Sequence, residues 1–261
     1  MHTATLTSRR RFLSLAGSLA AGISLPGIPA SVIAAETKEG KGKESVVNPV
    51  EDLMRGHGVL RRVLLVYEEA MNRINRGEGL PYEVIADSAG IIHRFVEDCH
   101  ERLEEEEIFP RFKKAGKLED LVNVLTVQHQ AGRSLTDSIL KLLESYVRKT
   151  PNAKQDESAA MRQIYGGTPL FQWKGSKQEL SSTIRQFIHM YRPHAAREDT
   201  VLFSAFRSVV SPGEFDELSK RFEDREKELF GKDGLEKTLD SLGDIEKKLG
   251  IHDLSKFTPK A

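Results

Sequence analysis

The chain has 261 residues, with 39 lysines and arginines balanced by 39 aspartates and glutamates. That balance removes nucleic acid and anionic membrane surfaces from the expected partners, and the single cysteine, Cys99, excludes a disulfide framework or a cysteine-built zinc site. A hydrophobic content of 39%, high charge and pervasive three- and four-residue apolar spacing predict an all-α class with solvated outer faces.

Residues 1–35 read as an export signal. Ser8-Arg9-Arg10-Arg11-Phe12-Leu13 precedes a Gly- and Ala-rich apolar run that ends in small residues near Ala34 and Ala35. The Ser-Arg-Arg-x-Phe-Leu order resembles a twin-arginine signal, which implies an exported, periplasmic or otherwise extracytoplasmic protein carried across already folded. Pro26 and Pro29 make the run a poor spanning helix, so no stable membrane span is expected in the mature chain. Residues 36–47 are charged and Gly/Lys-rich and read as a flexible linker.

Residues 48–210 predict four long helices. Asn48-Pro49-Val50-Glu51 opens the first with a cap and an early proline; its seam is Leu53, His57, Leu60, Leu64, Tyr67, Met71 and Ile74. The second starts at Pro81 and turns Ile85, Ala89, Ile92, Val96, His100 and Leu103 inward, with Pro110 expected to kink or stop it. The third runs from about Leu118 to Lys149 with Val122, Leu125, His129, Gly132, Thr136, Ile139, Leu143 and Tyr146 inside. A long connection over residues 150–175 holds Tyr165, Phe171 and Trp173. The fourth, capped by Ser176 to Glu179, buries Ile184, Phe187, Tyr191, His194, Glu198, Val201 and Ala205, and Pro193 is expected to open it beside His194. Residues 211–261 form a helical C-terminal extension that emerges near the histidines and is expected to shield them.

Each of the four helices thus puts one histidine on its seam. In an up-down-up-down bundle their heights agree: His57 lies 19 residues before Arg76, and His100 lies 19 after Pro81. His129 is 20 before Lys149 and His194 is 17 after Lys177, a mismatch of about 4.5 Å at the helical rise. Glu104 and Glu198 follow their histidines by four residues, on the same helical faces. Four imidazoles and two carboxylates at one buried level are costly without a cation, so the layer predicts a metal site. Without thiolates, and with more donors than one tetrahedral zinc needs, mixed nitrogen and oxygen ligation suits iron.

This set of motifs resembles the hemerythrin-like (HHE cation-binding) family. The motifs are a lone histidine in the first helix, His-x-x-x-Glu followed by Ile-Phe-Pro in the second, a histidine in the third, and His-x-x-x-Glu followed by Val-Leu-Phe in the fourth. The resemblance covers about Val50 to Phe206. It implies a four-helix bundle around a non-haem centre of two irons with an oxygen-atom bridge. Its ligands would be His57, His100, Glu104, His129, His194 and Glu198, the two glutamates bridging. Glu101 matches a further carboxylate ligand of some relatives. Arg133 stands where respiratory hemerythrins carry a second third-helix histidine, which implies open coordination rather than reversible oxygen carriage. Arg133 can pair with Glu101 or with an anionic ligand.

Around this layer, His93 either lines an access path or is a hydrogen-bonded core histidine. Glu105 to Glu107 read as a solvated face, and Cys99 as packing. The functional reading is a redox or sensing protein that binds or reduces a small ligand, such as oxygen, nitric oxide or peroxide. Iron storage or delivery, and a peroxidase or nitric oxide reductase type of enzyme, are the alternatives. Access is expected from the bundle end near His57. Nothing in the sequence designates a protein partner.

Overall fold

A computed structural model describes residues 48–78, 82–149 and 177–259. The expected signal and linker, the connection carrying Trp173, and the Pro81 and Ser176 starts lie outside the described residues. Among the described residues every regular element is helical, without a strand. No helix among them is long and apolar enough to cross a membrane.

Helix α1 spans Pro49–Asn75; the Asn48 side chain accepts the Val50 N–H at 2.9 Å and caps it. Helix α2 spans Tyr82–Ile91 and runs on through π-helical Ile92–Glu101 and Glu104–Ile108 into α3, Phe109–Lys114. Pro110 does not stop this run; it stands directly after the π-helical turn Glu104–Ile108, at the start of α3. The run ends instead at Gly116, whose φ of 62° favours glycine. Helix α4 is Glu119–Lys149 and α5 is Lys177–Arg197; α5 passes through Pro193, and its π-helical stretch comes later, at Glu198–Leu202, before α6, Phe203–Phe206.

Helix α1 packs on α2 and α5, and α4 packs on the same two neighbours. Buried apolar side chains fall into two clusters. One holds Leu60, Tyr67, Ile85, Ile92, Ile139, Phe187 and Tyr191; the other holds Leu53, Ile108, Phe112, Leu125, Phe206 and Phe222. The polar layer of His57, His100, His129 and His194 interrupts the apolar seams between them.

Helix α7 (Pro212–Phe230) begins with a complete capping box between Ser211 and Glu214. It seats Phe215, Leu218 and Phe222 in the second cluster, closing that end of the core. Helix α8 (Gly234–Leu249) lies on α1 and α2 and is tied to α1 by Arg62, which donates two hydrogen bonds of 2.7 Å to Glu246.

Candidate metal centre

Two groups of ligand atoms face each other inside the bundle. His57, His100 and Glu104 offer atoms within 4.8 Å of one another, and so do His129, His194 and Glu198. All six residues are buried, at 5% exposure or less. His100 Nε2 lies 3.4 Å from Glu104 Oε1, and His194 Nε2 lies 3.0 Å from Glu198 Oε2. The carboxylates also face the opposite group. Glu104 Oε2 is 3.5 Å from His129 Nε2, and Glu198 Oε2 is 3.1 Å from His57 Nε2. Both His-x-x-x-Glu pairs meet π-helical backbone, with His100 inside one segment, Glu104 opening a second and Glu198 opening a third. Such turns recur at functional sites.

The far nitrogens of three imidazoles are held from outside the layer. His57 Nδ1 meets Asp199 Oδ1 at 2.7 Å, and Asp199 is also paired with Arg61. His129 Nδ1 meets Glu105 Oε1 at 3.0 Å, and His194 Nδ1 meets Gln128 Oε1 at 3.0 Å. A partner on Nδ1 fixes the tautomer and turns Nε2 toward the centre. Sequence reasoning missed all three. All three reach across helices and leave no local signal; Asp199 adjoins Glu198 in the sequence, but its partner His57 is 142 residues away.

Glu105 and Glu107 correct the expectation of a solvated face. Glu105 holds His129 and Arg133, and Glu107 pairs with Arg111 and Arg221. Arg133 pairs with Glu101 Oε2 at 3.1 Å as well as with Glu105 at 2.8 Å. Glu101 accepts a 2.6 Å hydrogen bond from the Tyr191 hydroxyl, whose ring stands 5.4 Å from that of His194. His93 is neither in the core nor at the centre. It is partly exposed and pairs with Glu97 and Asp98; both it and His100 lie in the π-helical segment Ile92–Glu101, whose wider turn breaks the heptad register that would have aligned them. Cys99 is buried packing, and burial pushes its thiol up to about 12.

Burial, then the neighbouring His57, holds His100 well below its ordinary pKa. Burial and the Glu198 charge push Glu104 far above the carboxylate range. Burial also opposes the charge on Glu198, but His194 and His57 outweigh it and hold this group low. Glu101 is raised to about 8, burial exceeding the help of Tyr191 and Arg133. Five buried atoms of the layer find no hydrogen-bond partner: His100 Nε2, His129 Nε2, both oxygens of Glu104 and Glu198 Oε1. Buried polar atoms are rarely left so. All five belong to candidate ligands, so cations between the two groups would satisfy them together. Two imidazoles and one carboxylate per group is also a donor set suited to non-haem iron. The residues fit a metal.

Residues 48–166 match the family model described as hemerythrin HHE cation binding domain. Proteins of Mycobacterium bovis and of Mycobacterium tuberculosis strains CDC 1551 and H37Rv, each described as uncharacterized, are 40% identical over 258 residues, covering 96% of this chain and 91% of the relative. No solved structure matches the chain.

Proposed function

We propose that the chain, whose residues 48–166 match the hemerythrin HHE cation binding domain, is an exported non-haem di-iron protein that binds or reduces a small molecule such as oxygen, nitric oxide or peroxide. The carrying observation is the pair of facing groups, each of two histidines and one glutamate, whose unpartnered atoms all point into one buried layer. In this reading His57, His100 and Glu104 would hold one iron and His129, His194 and Glu198 the other, with Glu104 and Glu198, which each face both groups, shared between them. The mutual packing of α1 with α2 and α5, and of α4 with α2 and α5, supports an up-down-up-down arrangement over residues 48–210, with 211–261 as an extension.

When bound, two irons joined by an oxygen atom would supply electrons and exchangeable positions for the ligand. The chain's own groups do the rest. Asp199, Glu105 and Gln128 hold the imidazoles in place, the flanking apolar clusters keep bulk water out, and Tyr191 keeps a hydroxyl proton on Glu101 Oε1. Arg133 occupies the place where an oxygen carrier has a further imidazole, which favours ligand exchange over storage of oxygen. The Ser8 to Leu13 order supports the twin-arginine route to the periplasm or another extracytoplasmic space.

The test of function is the visible spectrum of iron-loaded protein on adding azide or nitric oxide. New charge-transfer bands are expected, whereas an unchanged spectrum with iron present contradicts ligand binding. For export, Arg9→Lys with Arg10→Lys should leave the protein in the cytoplasmic fraction. Normal export of that variant would contradict the route.

A further inference from the structure

Beside the ligand layer, between the α2–α3 run and α4, lies a surface cleft of about 480 Å³. Arg102, Glu105, Phe109, Lys113, Gln130 and Arg133 line it, so three cations surround one carboxylate. Its inner wall is the back of the centre. Phe109 stacks on His129 with ring centroids 5.4 Å apart, and Glu105 holds His129 Nδ1. Arg133 connects the two sides: its side chain is 27% exposed, yet one guanidinium nitrogen reaches both Glu105 and the 1% exposed Glu101. Among the described residues, two other approaches to the layer are more tightly closed. Helix α7 covers the seam beside His100, where only about 20 Å³ remains, and the bundle end expected to admit ligand is filled by Phe206, Phe215 and Phe222.

We propose that this cleft is the port through which a small inorganic monoanion reaches the centre, with Arg133 as the group that passes it inward. The inference rests on the di-iron reading above and adds the charge class of the ligand and its route. Cations lining a concave wall raise the local concentration of anions and their association rate. A guanidinium has five donors and stays charged, so Arg133 can take an arriving anion on a free donor before it releases Glu105 or Glu101. No buried charge is stranded during the exchange. Arg102 and Lys113 touch none of the candidate ligands, although Arg102 lies 3.5 Å from Glu105 on the oxygen that does not hold His129, and their charges draw the anion in. A neutral diatomic gains nothing from these charges and should be indifferent to them.

Stopped-flow association of azide with the iron-loaded full chain tests the port. Arg102→Gln with Lys113→Gln should slow association by about tenfold at low ionic strength, the lower end of electrostatic steering, and flatten its salt dependence. Iron content, the final azide spectrum and the association rate of nitric oxide should stay at wild-type values. Lys177→Gln with Arg185→Gln removes the same charge from exposed positions on α5 and should leave the azide rate unchanged. Lys113→Gln alone should give a smaller slowing, which keeps the test open if the double variant loads iron poorly. Equal azide rates in the cleft variants and wild type would overturn the port while leaving the di-iron reading intact, and so would equal slowing in the α5 control. An iron-loaded wild type that gives no azide spectrum would overturn the di-iron reading itself, and the port with it.

Discussion

A methyl group at Gly56 would overlap the His100 ring, so the bare backbone there lets α1 approach the imidazole that has the fewest partners of the four. Gly132 plays the same part for Tyr191, whose hydroxyl fills the space a Cβ would take. Gly56→Ala should displace His100 and lower iron per chain, at a stability cost of about 1–3 kcal/mol from overpacking. Elemental analysis beside circular dichroism checks it, and wild-type loading would contradict the placement. Gly132→Ala should push the Tyr191 hydroxyl off Glu101, losing a hydrogen bond to an ionisable group worth roughly 1.5–3 kcal/mol. In a Tyr191→Phe background the same substitution should cost less, and a denaturation cycle that shows simple additivity would rule out the contact. Among the ligands, His57→Ala and Glu198→Ala should each reduce bound metal. Unchanged loading in both would remove them from the centre.

The π-helical segments decide which residues follow the ligands into the core. Regular helical spacing predicts Val201 and Ala205 after Glu198, but the wider turn at Glu198–Leu202 advances the seam by one position and buries Leu202 and Phe206 instead. His57, His129 and His194 were legible because their apolar surroundings keep α-helical spacing up to each of them, and four-residue steps from Ile92 and Val96 still reach His100 within its π-helical segment. The residues beyond were not legible, because the change of turn depends on tertiary packing rather than local preference. The outer partners were hidden for a related reason. His129 and Glu105 are 24 residues apart, and His57 and Asp199 are 142 apart, so only the assembled bundle joins them. Helix α7 shows its anchoring more openly, through its capping box and the Phe215, Leu218, Phe222 stripe. Phe222→Ala should cost about 3–5 kcal/mol in urea unfolding, whereas the exposed Leu229→Ala should stay within about 0.5 kcal/mol of wild type. Similar losses in the two would argue against docking of α7 into the core.

Across the whole molecule, a buried polar layer divides two apolar clusters, and five of its buried atoms, all on candidate ligands, have no hydrogen-bond partner in the protein, a desolvation cost that cations would offset. The apolar clusters position the helices, the outer carboxylates and amide orient the imidazoles, and α7 and α8 close the flanks. That division of labour makes sense only if cations occupy the layer. The most direct test is elemental analysis of the full-length protein purified without chelators from iron-replete cells. The account predicts two irons per chain; one zinc per chain, or no bound metal in a folded protein, would contradict it.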